Sequence, residues 1–578
     1  MGLGVLPRGR RQPQTTEDEL RRLSVFDLIG LAAGGMIGSG WLLGAVDKRT
    51  MGLAAVWAWA IGGIVMLVLG AVMVELGTAA PKTGGLIFLP LQSSGALVAT
   101  VVAAGLWIFY ALNAASEAVA MTEALASQAP ALTSGSRPGL AGWGLACATV
   151  FLVLITAANL LAPRIFVKVN LALTLWKVLI PLLVVALMLS SGFHAENLSS
   201  HQPHQDSELG TALPMVVSGS VLFAYLGFQG PLDFAGNIKR GGVGEAARLR
   251  RAVYGTIAGS IVLYLAVQIA FIGHLHQLPS RLDAPDAVRA TANLLAWAGP
   301  LFVINAVLSP LGSGLVFAHA LTREVAALSR AHLTHRGLQT AQSTFITVRG
   351  RRYEAYWKVL LVDFAIGWFV LMAFHGRWTT LTAVISILAL VVYAIPAVAL
   401  VALRPHLPAC SRSRNLLRGV LARTAFLAVA LVLYRAGMQH LSYSMVALLG
   451  GSVLLLLLPL LARWNLPVIG RVLRSYDAKE HVTLFRRWRK DPTVAAVGLL
   501  LGYLAMVTLL TFLDHEGFFD GGKTWMGLVA VGLVAAVTFE GLVRLSRRHM
   551  EEHPPALPVP ATSASVSEPP GSQPRSPQ

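Results

Sequence analysis

The chain of 578 residues is poor in charge, at 13% Asp, Glu, Lys and Arg, and it holds two cysteines, Cys147 and Cys410. So little charge cannot cover the surface of a water-soluble domain of this size. Cys147 falls in an apolar run and Cys410 in a loop, so no disulfide is expected, and two thiols offer no zinc-ligand spacing. The N-terminal residues 1–23 have arginines but no apolar h-region, so no cleavable signal peptide is expected. The phosphate-binding pattern G-x-x-x-x-G-K-[ST] is missing, which removes the common nucleotide-driven classes.

Apolar residues are what the chain has, 55% of the total, with a mean hydropathy of +0.64. A helix crosses a bilayer in roughly 20 apolar residues, and that length finds about fourteen candidate spans. Their cores fall near 25–46, 53–76, 97–126, 141–161, 166–190, 212–236, 249–273, 293–321, 357–374, 378–403, 416–434, 441–462, 493–513 and 524–543. The expectation is an all-α integral membrane protein embedded in the lipid bilayer. Its parts are a cytoplasmic segment 1–23, a core 24–462, a basic cytoplasmic loop 463–492, two further spans within 493–545, and a disordered tail 546–578, which is Pro- and Ser-rich from about Pro554.

The net charge of +18 invites a nucleic-acid reading until the charges are placed. With the N-terminus in the cytoplasm, the large majority of Lys and Arg fall in inside loops, so the basicity is a topological bias and no nucleic-acid partner is expected. Arg349, Arg351 and Arg352, and Arg486, Arg487, Arg489 and Lys490, read as anchors to anionic headgroups. Both termini are then cytoplasmic.

Two stretches break the helical pattern. GGMIGSGW, residues 34–41, puts Gly34, Gly35, Gly38 and Gly40 in mid-span, each costing about 1 kcal/mol of helix propensity against alanine. Close helix packing through Gly34 and Gly38 would also explain glycines there. FAYLGFQGPLDFAG, residues 223–236, interrupts the sixth span with Gly227, Gly230 and Pro231. Interrupted spans at corresponding places in two five-span halves, 24–190 and 212–403, are the mark of a secondary transporter. Because each half has an odd number of spans, the halves are inverted. At each break free N–H and C=O groups face the cavity, the first suited to a carboxylate and the second to an ammonium, so an amino acid fits a site with few charged side chains. Upstream, Ser24-Val-Phe-Asp27 has capping-box spacing.

At this point the residues resemble a known family. Ile37-Gly38-Ser39-Gly40 resembles the broken first helix of the amino acid-polyamine-organocation permeases. GMIGSGWLLG is similar to a subgroup including bacterial aspartate-proton symporter-like permeases. Glu75-Leu-Gly-x-x-x-Pro81-x-x-Gly84-Gly85, Phe223-Ala-Tyr-Leu-Gly227-Phe and Leu308-Ser-Pro-x-Gly312 extend the match over roughly 20–460. The resemblance implies the leucine-transporter-like inverted repeat in a bacterial inner membrane. It implies substrate carboxylate binding at Ser39 and Gly40, and amino-group binding at the carbonyls of Ile37, Phe223 and Leu226. Gly38, Ala224, Tyr225 and Gly227 complete the two segments, and Phe223 takes the place of a gating aromatic. Lys177 aligns with a lysine that replaces a sodium ion in some members. Two departures stand out: Asn237-Ile-Lys-Arg-Gly replaces the usual Glu-x-Lys-Asn-Pro, and Leu226 stands where many members carry Glu.

Lys177 is the one basic residue placed inside a span, at a cost of roughly 2.5 to 3.5 kcal/mol at mid-helix. It either releases and regains a proton or staples spans one, five and eight as a fixed cation. Glu117, one turn past Asn113, either hydrogen-bonds in the bundle, accepts a proton or meets a cationic substrate. Lys177 and Glu117 are the proton-coupling candidates. Glu123 reads as solvated, Asp233 as close to cytoplasmic water, and Asp363 and Trp41 as packing residues. His194, His201 and His204 read as a solvated loop, so no metal is expected. No cofactor is expected beyond a proton gradient as energy source.

The expected function is proton-coupled symport of an amino acid. The alternatives are an amino acid/amine exchanger and a nutrient sensor that binds without transport. A membrane enzyme would need a nucleophile with its base or a metal cluster, and neither is apparent. The subgroup suggests an acidic amino acid, while the side-chain inventory suits a neutral one. Oligomeric state is not readable from the sequence.

Overall fold

The computed structural model describes residues 25–80, 84–134, 139–160, 163–199, 208–218, 220–233, 245–276, 278, 283–331, 333–348, 351–408, 410–461, 491–519 and 523–557. Ser24, the proposed cap, and the basic loop 463–490 lie outside them.

The first span is two helices, α1 (Val25–Met36) and α2 (Gly40–Asp47). After it come α3 (Gly52–Ala79), the short α4 (Gly85–Ser94), α5 (Ala96–Ala126), α6 (Gly142–Ala158) and α7 (Pro163–Ser190). The second half opens with another broken span, α8 (Glu208–Ser218), α9 (Val221–Tyr225) and α10 (Gly230–Asp233). It continues through α11 (Glu245–Gly273), α12 (Ala284–Leu294), α13 (Gly299–Arg330), α14 (Trp357–Ala373) and α15 (Trp378–Ala402). Four peripheral spans close the chain: α16 (Arg412–Tyr434), α17 (Met438–Leu461), α18 (Pro492–His515) and α19 (Thr524–Glu552). Eleven helices among the described residues are long and apolar enough to cross a membrane. The fourteen expected spans comprise these, the shorter α6 and α14, and the broken Glu208–Asp233.

The placing of each helix follows its pattern. In α15 nearly every residue is buried, as expected of a helix that is apolar all round. In α7, Leu175, Leu179 and Leu182 are exposed at helical spacing toward lipid, while Lys177 on the other face is fully buried. On α3, Glu75 ties three helices together by accepting ion pairs from Arg250 (3.1 Å), Arg414 (2.9 Å) and Arg418 (2.8 Å).

Three expectations are corrected. The eighth span does not begin at 293, because α12 stands apart from α13. Asp283 caps α12 by accepting from the Asp286 N–H, and Ala296 at φ 49° breaks the chain before α13. The tail does not begin at 546, since α19 runs on to Glu552 and Ser546 bonds Ser94 of α4 at 2.9 Å. The segment before the ninth span, expected as a basic loop, forms an antiparallel hairpin of β1 (Gln342–Val348) and β2 (Arg351–Ala355). The β-branched run of QSTFITV favours β1 there, and Arg351 and Arg352 open β2.

Candidate functional site

Unwinding between Met36 and Gly40 strands a series of carbonyls, and the neighbouring helices supply four side-chain donors to them. The Lys177 ammonium donates to Gly34 O (2.7 Å) and the Ser313 hydroxyl to Gly35 O (2.9 Å). Tyr264 OH lies 3.0 Å from Met36 O, and Ser309 Oγ lies 2.9 Å from both Ile37 O and Gly38 O. Five successive carbonyls are thereby satisfied by α7, α11 and α13, which is what allows the backbone to leave the helix at membrane depth. Ser309 and Ser313 are four residues apart and share one face of α13. Gly312 between them makes room for Lys177: a methyl there would come within 2.6 Å of its Cε and 2.7 Å of its Nζ.

The second break is held differently. Leu226 is extended, and Gly227 has φ +113°, a conformation that strains any side chain. The Gly227 N–H donates to Gln229 Oε1 (2.9 Å), and Gln229 Nε2 donates to Tyr110 OH (3.3 Å). The two breaks touch. A methyl on Gly227 would overlap the Gly35 carbonyl carbon, and one on Gly40 would come within 2.8 Å of Ala224 Cα. Tyr264 OH, already at Met36 O, is also 3.0 Å from Ala224 O, so one hydroxyl joins both segments.

Glu117 reaches the first break from α5. Its Oε2 accepts from the Ser39 N–H at 3.0 Å, and the Ser39 and Ser313 side chains lie beside the carboxyl. Its Oε1 occupies the place where a Gly38 side chain would be. Lys177 and Glu117 are electrostatic partners, 0% and 1% exposed, on either side of the unwound segment.

Three of the substrate contacts implied by the resemblance are thus already engaged in this conformation. Glu117 holds the Ser39 N–H, Ser309 donates to Ile37 O, and Phe223 O accepts from the Leu226 N–H at 3.1 Å. Helix α2 starts at Gly40 with no side-chain cap. Tyr225 turns away from the first break: its hydroxyl donates to Trp59 O (3.0 Å) and its ring packs on Trp59 and Tyr264.

Trp378, at the start of α15, was not singled out from the sequence. Its Nε1–H donates to Ser39 Oγ (3.2 Å), its ring meets Phe223 edge-on with centroids 6.0 Å apart, and it is 3% exposed. On its other side Trp378 lines a vestibule of about 290 Å³ with Asp47, Arg49, Glu123, Asp283 and Arg377. Glu123, read as solvated, is therefore a vestibule residue. A separate void of about 10 Å³, at the lower limit for one water, is lined by Gly38, Ser39, Trp41 and Ala120 among others. Trp41 also packs edge-on against Phe302. Asp363 is buried on α14, which packs against α5, α6 and α13. The acidic side chain of Asp233, along with His201 and His204, lies outside what the structure describes.

Residues 23–457 match the family described as amino acid permease. The chain is similar to the glutamate/serine transporter AimA of Bacillus subtilis, 29% identical over 72% of this chain and 77% of that one. It is similar to the aspartate-proton symporter of the same organism, 26% identical over 89% and 95%. A cadaverine/lysine antiporter of Escherichia coli is 27% identical over 51% of this chain and 65% of its own.

Proposed function

The chain belongs to the amino acid permease family, a multi-pass membrane family of transporters, and from that premise we propose that it takes up an α-amino acid by proton-coupled symport. The observation that carries this reading is the Glu117 carboxylate on the Ser39 N–H. A substrate carboxylate seeking that amide competes with one already bound there. Two carboxylates cannot share one donor at close range without strong repulsion. Protonation of Glu117 removes the competition, so proton and substrate bind together.

Released from Glu117, the Ser39 N–H joins the N-terminus of α2 in receiving the substrate carboxylate, with Gly40 close against Ala224 as the floor. The ammonium group meets the carbonyls of Ile37, Phe223 and Leu226, each able to accept a second hydrogen bond. Lys177 keeps the break open by holding Gly34 O and stabilises ionised Glu117 on the return step. Trp378 and Phe223 together separate the site from the vestibule. The inward proton movement is worth about 2.3 kcal/mol per 100 mV, which concentrates a neutral solute. The two bacterial relatives support a small neutral or acidic amino acid as substrate, serine, glutamate or aspartate. The positive-inside bias supports an N-terminus in the cytoplasm of a bacterial cell.

The antiporter among the relatives supports exchange as the second reading. Uptake of labelled serine, glutamate and aspartate into proteoliposomes separates the two. Symport predicts accumulation driven by an inward proton gradient into vesicles preloaded with buffer alone. Exchange predicts uptake only when amino acid is also present inside.

A further inference from the structure

We infer that His194, Glu196 and His276 form a three-ligand site for a divalent transition metal of the zinc class, stapling the segment after α7 to the end of α11. One ligand atom from each residue lies within 4.8 Å of the other two. His194 Nδ1 is 3.1 Å from Glu196 Oε1, and the His194 and His276 rings meet edge-on with centroids 4.9 Å apart. Two imidazoles and a carboxylate are a donor set that suits zinc. Metal bonds of about 2.0 to 2.2 Å draw three ligand atoms to roughly 3.3 Å apart. Rotation of exposed side chains covers the remaining distance.

The backbone beneath the ligands is already in register, which lowers the entropy lost on binding. The His194 N–H donates to Gly273 O (3.1 Å), and Asn197 Nδ2 donates to the same carbonyl (3.4 Å). The Phe193 ring fills the space a Gly273 side chain would take. One residue on, His274 Nε2 lies 3.3 Å from Ser191 Oγ.

The sequence shows His194 beside His201 and His204 and nothing that marks the first as a ligand. His276, eighty-two positions away, joins it only when α7 and α11 end on the same face. A short way past His276, Leu278 O accepts from Arg49 Nε (3.0 Å), and Arg49 lines the vestibule above Trp378. A metal at the staple therefore restrains the chain close to the Leu278 carbonyl that Arg49 grips beside the vestibule.

The test uses the full chain in detergent and zinc ions alone, titrated calorimetrically at pH 7.5. The expected result is one zinc per chain, weakened at least tenfold by His194→Ala and by His276→Ala, and at least threefold by Glu196→Gln. The double variant His201→Ala/His204→Ala keeps the affinity of the unaltered chain. In proteoliposomes zinc slows amino acid uptake by the unaltered chain and not by His276→Ala. Undiminished binding by both single histidine variants overturns the proposal, as does its loss in the His201/His204 variant.

Discussion

Gly38 is glycine because a carboxylate oxygen stands where its side chain would point. A methyl at that position overlaps Glu117 Oε1 and comes within 2.9 Å of Ser313 Cβ and Oγ. Gly38→Ala is therefore expected to push Glu117 off the Ser39 N–H and to lower initial uptake at least tenfold, while the protein still elutes as a single species from a sizing column. Glu117→Gln is the more informative change. The amide is nearly the same size, carries no proton to exchange, and presents a neutral oxygen to Ser39. Uptake against a gradient should fall at least tenfold, exchange of internal for external amino acid should persist, and the rate should lose its rise with external acidity. Retention of gradient-driven accumulation by Glu117→Gln would reject Glu117 as the coupling group. At this scale the residue types are legible without a structure, since a carboxyl and a lysine in mid-membrane are conspicuous in themselves. Their partners were not legible: Ser39 and Glu117 are 78 positions apart, and Lys177 and Gly34 143.

The broken helices show how an element survives where its own hydrogen bonds are missing. Glycine content and two interruptions at matching places made both breaks readable from the sequence, because weak helix formers in an apolar run are a local signal. What satisfies the unwound carbonyls is not local. Ser309, Ser313 and Tyr264 lie on α13 and α11, and a serine or tyrosine in a span has no periodic signature to separate a donor from a packing residue. Removing a donor leaves a buried carbonyl short by about 1 to 3 kcal/mol. Ser309→Ala, which withdraws the hydroxyl shared by Ile37 O and Gly38 O, should lower the apparent melting temperature measurably in a thermal-shift assay. Ser442→Ala, half-buried near the start of α17 and bonded only within its own helix, should leave it unchanged.

For the whole molecule, the inverted halves bring the two breaks together, and in the proposed transport cycle Trp378 decides whether the site between them is reachable. The indole bonds Ser39 on one side and floors the vestibule on the other. Trp378→Ala should join the 290 Å³ vestibule to the void around Ser39. An Ala120→Cys reporter in that void should then react with a polar thiol reagent at least tenfold faster than in the Trp378 background, with Cys147 and Cys410 replaced by Ser in both. Equal labelling rates would show that some other group closes the site.

The sequence by itself determined the membrane class, the span order, the two breaks and the family. Each is written in composition, in the length of apolar runs or in a contiguous motif, and such signals do not depend on distant residues. Only the tertiary structure decided which groups satisfy the unwound carbonyls, that Glu117 occupies the Ser39 amide, that Trp378 bonds Ser39 beside the vestibule, and that His276 comes to His194. Those are meetings between helices far apart in the chain. They follow from how whole helix faces pack, because burial of a face constrains its average polarity and leaves the individual partners to geometry.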